Sequence, residues 1–433
     1  MQRKLYNELI DWKNKENKKP LLLFGSRQVG KTYLINEFCR REYDNYIEIN
    51  LLERDDIVEL FKANNPMEEI YNDFKSILQF DFEKENTILF IDEIQKSPEL
   101  ISALKFFCEK HNNVNVIGAG SLLGVMLRKS NLPYPVGKVW TLNIYPMDFE
   151  EFLMAFGRDD LIKLIKEHYI SNKPISEPLH EKLMRYYRYY MCSGGMPESV
   201  QSMVNSEGDL FKFDHNIINE ILESYFMDMS QYVENEVETM RIRKLYNSIS
   251  TQLSNSSHKF QYSKIEKKAK SREYESPLDW LLASKLLIKC GLTKNPKIPP
   301  KAYIDDSTFK IFMNDIGLLS RMIDLQPRDI LLNNISSYKG VIAENYVACE
   351  LLQNEVSLMY WCSDANAEVD FIIYNSDGII PVEVKSGDNT KAKSLQLYMD
   401  KYNPKYGIRV SSKNFGFNNN IKSVPLYAAF CIK

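Results

Sequence analysis

Five short apolar runs, each followed by a stretch with helical spacing or dense charge, pattern the first 150 residues. They are Leu21-Leu22-Leu23-Phe24 after Pro20, Asn45 to Leu51, Thr87 to Glu93, Val114 to Ser121, and Val139 to Ile144. Continuous apolar runs of this length read as strands buried on both faces of a parallel sheet. YLINEFCRR after the first run, the charged stretches up to about Gln79, LISALKFFCEKH and LLGVMLRKS read as the helices between them, and Leu5, Leu9, Ile10 and Trp12 give the opening segment a helical apolar face. The alternation predicts a doubly wound α/β domain. From Asp148 to about Tyr190 the pattern turns helical and charged, with the aromatic run RYYRYY read as core, and Gly194-Gly195-Met196-Pro197 breaks it with Pro197 opening the next helix. YNSISTQLSN, FQYSKIEKKAK and SPLDWLLASKLLIKC predict three helices leading into a strand hairpin, a winged-helix pattern. In the last third, AEVDFIIY and IIPVEVKS flank the turn signal Asn375-Ser376-Asp377-Gly378, and YGIRVSS and SVPLYAAF add strands to a small mixed sheet. The expected division is 1–157 for the α/β core, 158–240 for a helical lid, 241–300 for the winged helix and 301–433 for a C-terminal mixed α/β domain.

The junction of the first strand and helix carries GSRQVGKT, Gly25 to Thr32. A strand that ends in a glycine-containing loop and enters a helix aims successive N–H groups at anionic oxygens, the requirement of a phosphate-binding loop. Gly25, Ser26, Arg27, Gln28, Val29, Gly30, Lys31, Thr32 and the following Tyr33 are the expected contacts of ATP. Lys31 would reach the β and γ phosphates, and Thr32 would hold Mg2+. TILFIDE then ends a buried strand in paired acids, so that Asp92 would help hold the magnesium ion and Glu93 would orient or deprotonate the attacking water. Ser121, at the end of the fourth strand, is either a γ-phosphate sensor or the N-cap of the next helix.

Composition narrows the partners little. The net charge of −3 over 433 residues means that any nucleic-acid surface must be local, and the seven cysteines lack a CxxC pair, which argues against a disulfide framework or zinc site. No apolar run approaches transmembrane length and the first residues form no signal core, so the expected setting is cytoplasmic with no membrane partner. The one dense basic run holds Lys259, Lys264, Lys267, Lys268, Lys270 and Arg272 against Glu266 and Glu273. On a recognition helix these would contact DNA phosphates; the alternative is a solvated face of a domain used for packing.

A second constellation lies in the C-terminal hairpin. If it closes symmetrically about its turn, Tyr374 pairs with Ile379 and Asp370 falls opposite Glu383, with Lys385 on the same face as Glu383. Facing carboxylates repel unless neutralised, and a divalent cation would neutralise them. Glu344 shares a helix face with Val347, Ala348 and Leu351 and is a candidate further ligand, with Gln396 or Ser394 able to approach from the next helix.

GSRQVGKT, LFIDEIQ, GAGSLLG, YPVGKVWTLNIYPMDFEEFL and SGGMPESV together resemble the AAA+-related ATPases of bacteria and archaea that carry an uncharacterised nuclease-like C-terminal domain. The resemblance implies ATP binding and hydrolysis, and allows a homo-oligomer in which an arginine completes a neighbour's site. Arg128 is the candidate; Lys138 stands where relatives carry arginine and lacks its planar fork. Separately, Asp370, Glu383 and Lys385 resemble the core of the PD-(D/E)xK nucleases, with Val369 in place of the motif's proline. That resemblance implies a restriction-endonuclease-like domain in which Asp370 and Glu383 ligate Mg2+ or Mn2+ and Lys385 positions water. The expected whole is an ATPase coupled to a DNA-directed nuclease-like domain. Its rivals are an ATP-dependent switch with a vestigial second site and an ATPase that engages a partner protein.

Overall fold

β1 (Leu21–Phe24), β2 (Asn45–Asn50), β3 (Thr87–Asp92), β4 (Asn115–Gly120) and β5 (Trp140–Asn143) form one parallel sheet in the order β2-β3-β4-β1-β5 in the computed structural model. The structure describes all residues except 130–132, 232–234, 254–258, 333, 336–337, 364–366 and 387–392. Every position of β3 and β4 is buried, which is why both runs are apolar without alternation. The chain leaves β1 toward β2, then returns through β3 and β4, so right-handed crossovers send the helix Lys31–Glu42 to the face opposite the helices after β2 and β3. Packing agrees. Phe38 of that helix meets Tyr6 and Trp12, whereas Phe61, Phe74, Leu104 and Phe107 pack with Leu89, Ile91 and Val116 of the sheet. The doubly wound core is therefore present, and residues 2–145 with 283–285 make one compact unit.

The second unit comprises 146–282 and 286–433. It contains one eight-stranded mixed sheet of β6 (Leu287–Thr293), β7 (Ile304–Met313), β8 (Met359–Cys362), β9 (Glu368–Asn375), β10 (Gly378–Lys385), β11 (Gly407–Ser411), β12 (Gly416–Asn418) and β13 (Ile421–Pro425). The order is β12-β13-β11-β10-β9-β8-β6-β7. The β9–β10 hairpin has the expected register, with Tyr374 opposite Ile379 and Val382 opposite Phe371. The β6–β7 hairpin is antiparallel, as its pattern suggests, but it does not stand apart as a wing. β6 pairs in parallel with β8, so strands on either side of residue 300 share one sheet.

The recognition helix expected over FQYSKIEKKAK is replaced by a single 3-10 turn, Tyr262–Lys264, and irregular chain. Long-range bonds take its backbone. The Phe260 N–H donates to Phe309 O at 2.9 Å and the Gln261 N–H to Gln252 Oε1 at 2.8 Å, while Lys268 has a left-handed φ of 70°. The third helix begins earlier than its Ser-Pro signal, spanning Ser271–Ala283 with Pro277 inside.

The stretches PMDFEEFL, from Pro146, and GGMPE meet in the second unit. Met147 N–H donates to Gly195 O at 2.6 Å, and Tyr190 Oη donates to Met147 O at 2.6 Å. A Cβ on residue 195 would lie 1.9 Å from Met147 O, so the approach requires glycine. Asp148 caps the helix Phe149–Ala155 in a capping box with Glu151, and Phe149 N–H donates to Glu350 Oε1 at 3.1 Å. Tyr187 and Tyr190 pack edge-on against Phe149 and Tyr346, so these aromatics of RYYRYY are core. Pro197 opens the helix Pro197–Asn205 as expected.

Asp315 holds this junction from 120 residues away, accepting from Gly195 N–H at 2.6 Å and from Leu318 N–H at 2.9 Å. Burial lifts its carboxyl to about 6, against the N–H groups of Gly195, Leu318 and Gly317, which favour the ionised form. Asp315→Ala would strand buried donors and is expected to cost about 2–4 kcal/mol in urea unfolding. Because the native pKa exceeds the unfolded value of 3.8, the group's stabilising contribution is full below about pH 4 and fades as pH rises through 6. The stability of wild type relative to Asp315→Asn should thus be greater at pH 5 than at pH 7.5; the opposite trend in paired denaturation curves would refute a proton-binding Asp315.

Candidate functional site

The phosphate loop leaves the C-terminal end of β1 and enters the helix Lys31–Glu42 through Gly30, whose φ of 88° is the left-handed conformation that glycine adopts without a Cβ penalty. Lys31 is buried and turned back over the loop, its Nζ donating to Gly25 O at 3.0 Å and Ser26 O at 2.8 Å. Thr32 Oγ1 donates to Asp92 Oδ2 at 2.6 Å, which joins the two motifs across 60 residues. Parallel pairing puts both strand ends on the same edge of the sheet, the place where open α/β sheets bind ligands. The hydroxyl and carboxylate fit a magnesium site, because Mg2+ takes few protein oxygens and leaves the rest of its shell to phosphates and water.

Glu93 follows β3 with a left-handed φ of 52°, its N–H donating to Asp92 Oδ1 at 3.0 Å. Its Oε2 accepts from Gln95 Nε2, a partner that the sequence reading did not single out although it stands two residues on in the same motif. Ser26 is buried, Val29 is buried, and Arg27, Gln28 and Tyr33 are exposed along the same loop and helix start. Ser121 follows β4 directly and is buried. Arg128 is exposed on the helix Leu123–Lys129. Lys138 pairs with Glu109 at 2.8 Å with both side chains 39% exposed, a surface ion pair. Arg3, also missed, is buried and donates to Val29 O at 2.8 Å and Tyr145 O at 2.6 Å. It ties the phosphate loop to the chain that follows β5.

The second constellation is assembled, with one addition. Asp370 Oδ2 accepts from Val384 N–H at 2.8 Å, and Lys385 Nζ lies 2.5 Å from Glu383 Oε1 on the shared face. The addition is Lys310 of β7, fully buried, whose Nζ lies 2.7 Å from Glu344 Oε1, 2.6 Å from Glu368 Oε1 and 3.9 Å from Asp370 Oδ1. Burial raises the Asp370 carboxyl far above its ordinary value, helped by Glu344 and Glu383. Glu383 is raised too, chiefly by burial, with Lys385 opposing. Burial lowers the Lys310 ammonium, but Glu344, Glu368 and Asp370 together more than reverse this. Gln396 is exposed and donates to Asp400 Oδ1 at 2.8 Å. Among the described residues no three His, Cys, Asp or Glu side chains are grouped as metal ligands, and Glu344 and Asp370 of the expected set face Lys310. Lys310 sets its positive charge against Glu344, Glu368 and Asp370, and Lys385 sets its own against Glu383. A lone lysine within the apolar run Phe309 to Met313 was the available signal.

Residues 17–153 match the family described as AAA domain. The matched stretch holds the parallel sheet and phosphate loop of a P-loop NTPase core. Residues 184–329 and 339–429 match two families described as domains of unknown function, DUF8612 and DUF4143, and neither match identifies a nuclease. No curated protein matches the chain. Among solved structures, the Walker-type ATPase PABY2304 of Pyrococcus abyssi is 16% identical over 75% of this chain and 95% of its own, with a TM-score of 0.44. The ORC2 protein of Aeropyrum pernix is 14% identical over 77% of this chain and 95% of its own, with a TM-score of 0.36. RuvB of Thermotoga maritima is 14% identical over 66% and 86%, at 0.30. No described helix is long and apolar enough to cross a membrane.

Lys310 offers a direct test of the buried charge network. Lys310→Met leaves its carboxylates without their ammonium and is expected to lower unfolding free energy by about 3–5 kcal/mol. Chemical denaturation measures it, and unchanged stability would mean that the carboxylates need no counter-charge.

Proposed function

We propose that this protein is a magnesium-dependent ATPase. The observation that carries the reading is the 2.6 Å bond between Thr32 Oγ1 and Asp92 Oδ2 at the mouth of a phosphate loop, with Lys31 beside it. Loop N–H groups and the start of the helix Lys31–Glu42 bind phosphate oxygens, and Lys31 exchanges its loop carbonyls for the β and γ phosphates. Bound magnesium, held by Thr32 and Asp92, supplies neutralising charge to those phosphates. Glu93 orients the attacking water and accepts its proton, while the Gln95 amide fixes the carboxylate in place. Arg3 supports transmission of the nucleotide state, because one guanidinium grips both the loop at Val29 and the chain at Tyr145, the first residue of the YPMD motif.

Phosphodiester cleavage at Asp370, Glu383 and Lys385 is the weaker reading, because Lys310 and Lys385 already sit against the carboxylates that a divalent metal would use. A nucleotide-controlled switch fits the second unit better. DNA contact is favoured by one observation: Lys264, Lys267, Lys268, Lys270 and Arg272 are all exposed within nine residues of chain, running from the 3-10 turn Tyr262–Lys264 through irregular chain to the first turn of the helix Ser271–Ala283. Such a patch binds phosphates without reading bases.

Lys31→Ala should abolish ATP binding by calorimetry, and Glu93→Gln should bind ATP while losing at least about 100-fold in turnover, the scale of a general base. Full hydrolysis by Glu93→Gln would assign the water to another residue. Replacing Lys264, Lys267 and Lys268 by Glu should weaken DNA binding and flatten its salt dependence in fluorescence titrations; unchanged affinity would remove DNA from this segment.

A further inference from the structure

The eight-stranded sheet contains a cation of its own. Lys310 lies in the buried stretch Phe309-Lys310-Ile311-Phe312-Met313 of β7, at the sheet edge, opposite Cys290 of β6. Its side chain passes over the Tyr360 ring of β8, 5.0 Å from Nζ to the centroid, and ends between Glu344 on the helix Lys339–Gln353 and Glu368 on β9, with Asp370 next along the same strand face. An ammonium has three N–H donors and no acceptor, so a cage of carboxylates and an aromatic face is its natural enclosure. Lysine is rarely buried completely unless it is paired in this way.

A divalent metal in a carboxylate-lysine phosphodiesterase would draw on the same oxygens. Mg2+ placed among Asp370, Glu383 and Glu344 would compete with Lys310 for Glu344 and stand near a buried ammonium in a medium of low polarity, where like charges repel strongly. Glu383 has its own counter-charge in Lys385. We infer that Lys310 is the resident cation of this site, so that the cluster binds neither Mg2+ nor Mn2+ and serves as a closed charge network in place of a phosphodiesterase centre. The four carboxylates Glu344, Glu368, Asp370 and Glu383 outnumber the two ammonium groups, and Glu383 Oε2 is buried with no hydrogen-bond partner among the described residues. That surplus makes a metal titration a discriminating measurement.

The test uses the full chain carrying Asp92→Asn, which removes the phosphate-loop metal ligand, titrated with Mn2+ without nucleotide and followed by loss of the free Mn2+ electron paramagnetic resonance signal. The expected result is no stoichiometric binding at up to millimolar metal. Binding of one Mn2+ that disappears when Asp370→Asn is added would overturn the inference. In the same background, Lys310→Met should gain one Mn2+ site and a rise in melting temperature with Mn2+, both lost on adding Glu344→Gln. A folded Lys310→Met protein that gains no site would also overturn it, and if that variant does not fold, the comparison of Asp92→Asn with and without Asp370→Asn still decides. The outcome is independent of ATP hydrolysis, so failure here leaves the ATPase reading standing.

Discussion

A single hydrogen bond, Thr32 Oγ1 to Asp92 Oδ2, states the constraint on which the N-terminal unit depends. It forms only if β1 and β3 end on the same edge of the sheet with β4 between them, which parallel pairing of all five strands secures. The burial of β3 and β4 fixes their heights, and Gly30 then turns the loop into its helix. Charge and metal chemistry at this edge follow from backbone geometry, because the phosphate-binding groups are mainly N–H donors whose directions the fold sets.

In the second unit the comparable constraint is electrostatic. Asp315 satisfies the N–H groups around GGMPE and draws that loop against Met147, while Glu350 does the same for Phe149. Each acid is buried, so each must be matched by donors or it would destabilise the core. The PMDFEEFL and GGMPE stretches therefore serve first as a structural joint within the second unit, and their aromatic neighbours Tyr187, Tyr190 and Tyr346 close it.

Lys310 obeys the same rule with opposite sign. Its ammonium is enclosed by Glu344, Glu368 and Asp370, and the hairpin β9–β10 adds the pair Glu383 and Lys385 on the adjoining strand. A motif that in isolation suggests metal-dependent hydrolysis thus becomes part of a larger charge balance. The chemistry of a site is set by all the charges that face it, including those delivered from strands distant in sequence.

Local pattern was enough for the phosphate loop, the five buried strands, the hairpin register at Tyr374 and Ile379, and the helix opened by Pro197. These depend on periodicity, turn residues and neighbours within a few positions, which the sequence displays directly. It did not determine Lys310 and its partners, the Arg3 link to Tyr145, or the loss of the helix over residues 260–270, where the Phe260 N–H bonds to β7 instead of to its own turn. Those outcomes required segments 34 to 142 residues apart to meet, and burial then made each charge or donor seek whatever partner the fold had brought within reach.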